Sequence, residues 1–276
     1  MVAPSRMKKI SSGGLQLLLT VGVWVLGQQA FGGFPPEVPG LSIPDARFLA
    51  EDQGVVIRAS APKQYLPQLK ALGVTRVLII KEEVREEVRT EIADLKALGY
   101  VTEGAGSQVI HIPYRWKDFV SFKEACLQTR QALTEILAAA QKKGEKLLFH
   151  CTFGQDRTGA VSGLYRMLKD RWELERTFHD ELCENGYEGG NPLKPSSVNF
   201  AIEQELTPLF LSLAVAIQDG RWTADNLDPA ICDQGAELKK ALVKGSRLDP
   251  DRFRCQKSTK WRDDTQKRKT RVRRIK

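Results

Sequence analysis

Histidine and methionine are scarce in these 276 residues, with three of each. His111, His150 and His179 fall at no metal-ligand spacing, which argues against a histidine-built metal centre, and no metal or other cofactor is indicated. No internal repeat recurs along the chain, so a repeat architecture is excluded. Acidic residues are absent before Glu37, and the one long apolar run there, Leu15 to Leu26, is short against the ~20 residues that a bilayer-spanning helix needs. Arg6, Lys8 and Lys9 precede that run and Ala30-Phe31-Gly32 follows it as a small-x-small site, the outline of a cleavable secretory signal peptide. Export to the periplasm or beyond is the expectation, with an uncleaved N-terminal anchor as the alternative. A cleaved mature form would carry no transmembrane segment.

The net charge of +8 is unevenly spread. Residues 1–32 carry +3 and residues 251–276 carry +9, so the stretch between them is −4. The basicity belongs to the ends. The run from Arg262 to Lys276 reads as disordered in isolation, and it suits anionic lipid headgroups, lipopolysaccharide or nucleic acid as partners. Trp261 alone is too little aromatic interleaving to argue for base stacking.

The chemistry concentrates in His150-Cys151-Thr152-Phe153-Gly154-Gln155-Asp156-Arg157-Thr158-Gly159. Lys146 to Phe149 is an apolar run fit for a buried strand, and Thr158 to Leu168 has a helical pattern, with Gly154 and Gly159 easing the backbone between. In a strand, loop, helix order, backbone N–H groups from Thr152 to Arg157 converge at a helix N-terminus and favour an anion there. The same field lowers the Cys151 thiol from its ordinary ~8.5, which makes thiolate available at neutral pH. Arg157 adds a planar fork for two phosphoryl oxygens.

These residues resemble the HC-x5-R-[ST] signature of the protein tyrosine phosphatase superfamily, in the short form of bacterial dual-specificity-type enzymes. The segment Gly54 to Pro62, with Arg58-Ala59-Ser60-Ala61-Pro62, is similar to the Tyr-Arg-Ser-x-x-Pro opening of small bacterial members, with Ile57 in place of the aromatic residue. The resemblance implies a central, mostly parallel α/β sheet with helices on both faces. It also implies roles. Cys151 is the nucleophile that forms a phosphocysteine, Arg157 binds the phosphoryl group, Thr158 hydrogen-bonds the sulfur, and His150 orients the loop. The phosphate is held by Thr152, Phe153, Gly154, Gln155, Asp156 and Arg157. A leaving oxygen also needs a proton, and Asp118, on the segment after Ile112-Pro113, is the expected general acid. Asp156 departs from the Gly or Lys common before the Arg, and a helix N-terminal contact is its expected use.

Around the loop, Leu66 to Leu72 reads as helix, Val74 to Ile80 as buried strand, Glu82 to Leu98 as a charged amphipathic helix and Ser121 to Lys142 as a long one. Trp172 to Asn185 and Ser196 to Ile217 add helices behind the loop. The expected layout is a signal segment (or anchor) over 1–32, a proline-containing leader over 33–52, the phosphatase domain over 53–250 and a basic tail over 251–276. An exported chain permits disulfides. Among Cys126, Cys183, Cys232 and Cys255 three full pairings exist; Cys232 with Cys255 is favoured here, with Cys126 free and buried on an apolar helix face. Three functions follow: a phosphomonoesterase acting on phosphorylated protein, the same chemistry on a small phosphate ester such as an inositol polyphosphate, or a phosphate-binding module that does not hydrolyse.

Overall fold

A computed structural model describes residues 37–115 and 121–261. Asp118, the 1–32 segment and the basic run from Arg262 onward lie outside the described residues. Five strands form one sheet: β1 (Arg47–Glu51), β2 (Val55–Ala59), β3 (Arg76–Ile80), β4 (Gln108–Ile112) and β5 (Lys146–His150). Their order is β1-β2-β5-β3-β4, with β1 antiparallel to β2 and all other pairs parallel.

Side-chain alternation splits the apolar residues of each strand between two cores. Leu147 and Phe149 of β5, with Val56, Leu78 and Ile80, face a core built by α3 (Phe122–Gln141), α4 (Asp156–Lys169) and a late helix, Thr207–Gln218. Leu148, with Ile57, Val77 and Ile79, faces the other core, under α1 (Leu66–Ala71) and α2 (Glu87–Ala97). A strand buried on both faces reads as a continuous apolar run, as Leu147-Leu148-Phe149 does. The sheet is therefore mostly parallel and covered on both faces, as expected.

Helix boundaries follow local chemistry. Ser121 caps α3 by accepting the Glu124 N–H at 3.1 Å, a serine and glutamate at capping-box spacing. The charged helix begins at Glu87 and not at Glu82, because Arg85 and Glu86 adopt left-handed conformations (φ 50° and 63°) that a right-handed helix cannot contain. The Glu83 carboxylate accepts the first-turn N–H groups of Val88 and Arg89 at its start. The stretch Leu174 to Asn185 is helical throughout, passing from α through π to 3-10 geometry, and it ends at Gly186 with φ 86°. Ser196 to Gln218 is continuous as well, with a π turn at Ile202–Leu206.

Three expectations need correction. Residues 37–52 are not a leader: Val38, Leu41, Ile43 and Ala46 are buried in the second core, and β1 pairs with β2. The tail does not loosen at 251, since Phe253, Ser258 and Trp261 are buried and the Ser258 hydroxyl donates to the Glu184 carbonyl at 2.7 Å. The cysteines pair as Cys126–Cys232 and Cys183–Cys255, leaving Cys151 free. Cys126 lies on the buried face of α3, against which the 3-10 turn Pro229–Gln234 carrying Cys232 is packed. That meeting is made by tertiary packing, which spacing along the chain does not report.

Candidate active site

The parallel strands deliver their carboxyl ends to one edge of the sheet, the place where open α/β sheets bind ligands. Central β5 ends there at His150, and the chain turns through Cys151 to Gln155 before α4 starts at Asp156. Gly154 takes φ 66°, and a Cβ on it would lie 2.5 Å from the Ala59 carbonyl oxygen, so both the conformation and the closeness to β2 call for glycine.

Cys151 is buried at the base of this loop. Burial alone would push its thiol up, but the Arg157 charge and hydrogen bonding by Thr158 outweigh that and hold it below the ordinary thiol range, with Asp156 opposing. The Thr158 hydroxyl oxygen accepts the Cys151 N–H at 2.9 Å, which ties the nucleophile's backbone to the first turn of α4. Arg157 extends its guanidinium to the Thr152 hydroxyl at 3.2 Å and toward the Tyr114 carbonyl at 3.5 Å.

His150 is fully buried between two partners. Its Nδ1 lies 3.0 Å from the Cys151 carbonyl oxygen, and its Nε2 lies 2.9 Å from Glu91 Oε1 on α2. Lys81 Nζ stands 3.4 Å from the other Glu91 oxygen. Burial works against ionisation of Glu91, yet His150 and Lys81 prevail and its carboxyl is held below the usual range. Sequence reasoning missed Glu91; it sits in a charged helix where nothing local separates it from its neighbours.

The side chains of Gln155 and Asp156 are engaged away from the loop's interior, which leaves only their backbone N–H groups for a phosphate. Gln155 is buried, and its Oε1 accepts from Asn191 Nδ2 at 3.0 Å. Asp156 pairs with Lys194 and accepts the Glu188 N–H at 3.1 Å, so its charge is neutralised at the start of α4. Asp156 does stand in the first turn of α4, but the partners of its carboxylate come from outside that helix, and Lys194, Glu188 and Asn191 had no signal in the sequence. Phe153 remains 45% exposed on the loop. His111 lies in β4 with Nε2 2.8 Å from the Lys81 carbonyl oxygen, a strand contact away from the loop chemistry.

A buried thiol held below its ordinary range, beside a forked cation on a loop that opens a helix, defines a cysteine-dependent phosphatase site. Residues 55–170 match the model of the tyrosine phosphatase family, and the loop's cysteine, arginine and threonine fit a cysteine-dependent phosphatase. The fold is similar to that of TpbA from P. aeruginosa, with 20% identity and a TM-score of 0.37 over 54% of this chain and 78% of that one. It is also similar to the core catalytic domain of SIW14 from S. cerevisiae, a PP-IP phosphatase (21%, 0.38, 54% and 77%), and to a variant of human DUSP28 (17%, 0.36, 62% and 98%). No curated protein matches the chain.

Proposed function

We propose that this phosphatase is exported and hydrolyses phosphomonoesters on protein, phosphotyrosine first among them. Cys151 Sγ attacks phosphorus, the ester P–O bond breaks, and the leaving oxygen takes its proton from Asp118. Water, deprotonated by the same carboxylate, then cleaves the phosphocysteine and frees the thiolate. Arg157 and the loop N–H groups carry the charge on the phosphoryl oxygens in both steps. Thr158 and His150 hold the backbone on either side of the nucleophile. Tyr114, four positions before Asp118, reaches Arg157 with its carbonyl, which supports the 116–120 segment as the source of the acid.

The observation that carries the choice of substrate is the pairing of the cations. Among the described residues near the loop, Lys194 is bound to Asp156, Lys81 to Glu87 and Glu91, and Arg115 to Glu82 at 3.0 Å. Arg157 has no carboxylate partner within ion-pair distance among the described residues. The exposed Lys63, two positions beyond the Ala61 that meets the loop, is likewise without an ion pair among the described residues, and so few unpaired cations suit a single phosphoryl group better than a ring bearing several. Export is supported by the two disulfides, which belong to an oxidising compartment, and by the N-terminal signal pattern. The test is phosphate release from a phosphotyrosine peptide and from inositol hexakisphosphate, side by side, with Cys151→Ser as blank. Faster Cys151-dependent release from the peptide is the expected result; preference for the inositol phosphate would replace the protein substrate.

A further inference from the structure

The stretch Arg58 to Ala61, at the carboxyl end of β2, takes no part in the chemistry above, yet it meets the phosphate loop at three consecutive peptides. The Ala61 N–H donates to the Thr152 carbonyl at 3.3 Å. The Ser60 hydroxyl lies 3.1 Å from the Phe153 carbonyl oxygen, and Arg58 Nη2 donates to the Gly154 carbonyl at 2.8 Å. A trans peptide is planar, so the C=O of one residue and the N–H of the next point in opposite directions. Three carbonyls turned toward β2 therefore turn the N–H groups of Phe153, Gly154 and Gln155 away from it. Those N–H groups belong to the loop that must surround the phosphoryl oxygens.

The donors are fixed in their turn. Arg58 is completely buried, and its second nitrogen pairs with the Glu181 carboxylate and reaches the Glu181 carbonyl at 3.3 Å. Ser60 shares its single hydroxyl proton between Phe153 and Asp45, whose Oδ2 is 3.0 Å away. Gly154 lets the loop close onto this end of β2, since any Cβ there would strike the Ala59 carbonyl. A buried guanidinium is costly unless its hydrogen bonds are met, and here one of them goes to the catalytic loop.

We propose that Arg58 and Ser60 are positioning residues of this phosphatase: by holding the Phe153 and Gly154 carbonyls against β2 they set the direction of the loop N–H groups that bind the phosphoryl oxygens. The proposal rests on the reading of Cys151 to Arg157 as the phosphate cradle. Its test compares wild type with Ser60→Ala, Ser60→Thr and Arg58→Lys in the full, disulfide-bonded chain. Thermal melting reports folding. Three further readouts are the inhibition constant of inorganic phosphate, kcat and KM on a phosphotyrosine peptide, and the pH profile of Cys151 alkylation by iodoacetamide, which also senses Arg157, Asp156 and Thr158.

Folded Ser60→Ala and Arg58→Lys should bind phosphate about five- to tenfold more weakly, as expected for one misdirected or lost hydrogen bond. Their kcat should fall more than KM rises, their alkylation profile should move to higher pH, and Ser60→Thr should restore all three. Folded variants with wild-type phosphate affinity and alkylation profile would overturn the proposal. Should Arg58→Lys fail to fold, the Ser60 pair decides alone. A wild-type chain that binds phosphate yet releases none from esters would refute the catalytic reading instead, and phosphate affinity would still judge the positioning role.

Discussion

Arg157 touches the Thr152 hydroxyl with one terminal nitrogen and points the other at the Tyr114 carbonyl, so its fork spans the loop and the segment that leads to Asp118. A lysine would keep the charge and lose the second arm. Arg157→Lys should therefore lower kcat/KM on the order of 10²-fold, the scale of removing an aligned donor from a developing anion, as measured on a phosphotyrosine peptide. Cys151, Arg157 and Thr158 were legible in the sequence because the loop keeps them adjacent along the chain. Glu91 on α2, and Asn191 and Lys194 on one later turn, were not, because they lie far along the chain from the residues they bind and only the fold brings them there. Asp156 marks the boundary: a carboxylate at an anion site conflicts with its neighbours along the chain, and the Lys194 that neutralises it comes from outside the loop.

At the level of elements, β5 and α4 are the pieces on which the site depends. β5 is the middle strand, with Leu148 completely buried in one core while Leu147 and Phe149 fill the other. Leu148→Ala should cost about 2–5 kcal/mol of stability, the range for a large-to-small change in a well-packed core, as read from denaturant unfolding. Apolar runs and helical periodicity made β3, β5, α3 and α4 legible to within a few residues. The start of α2 was not legible, because the left-handed turn at the exposed Arg85-Glu86 pair contains no glycine, asparagine or proline to announce it. β1 was missed for a different reason: its Arg47, Ala50 and Glu51 give little alternation, and its order comes from pairing with β2.

For the whole molecule, the segment after Pro250 acts as a strap. Cys255 is bonded to Cys183, its N–H donates to the Glu188 carboxylate at 3.2 Å, and Ser258 and Thr259 bind Glu184. Removing the bridge with paired Cys183→Ala and Cys255→Ala changes should cost about 2–5 kcal/mol, visible as a lower melting temperature. The same region carries a pH dependence. Burial, with Glu203 adding to it against the Cys255 hydrogen bond, pushes the Glu188 carboxyl up to about 7 from an ordinary 4.5. Between those values the folded chain holds a proton that the unfolded chain has lost, so this contribution to stability is present in acid and disappears as pH rises through about 7. Glu188→Gln should flatten the fall in melting temperature over that window, and an unchanged slope would show that another group is responsible.

The pairing of the other four cysteines leaves Cys151 with no thiol in its own chain to turn to. A reactive thiolate struck by peroxide first becomes a sulfenic acid, which a neighbouring cysteine can rescue as a disulfide before further oxidation destroys it. Here a disulfide rescue has to come from outside, from a small thiol or another protein, and the chain's own recourse is a sulfenamide with a backbone nitrogen.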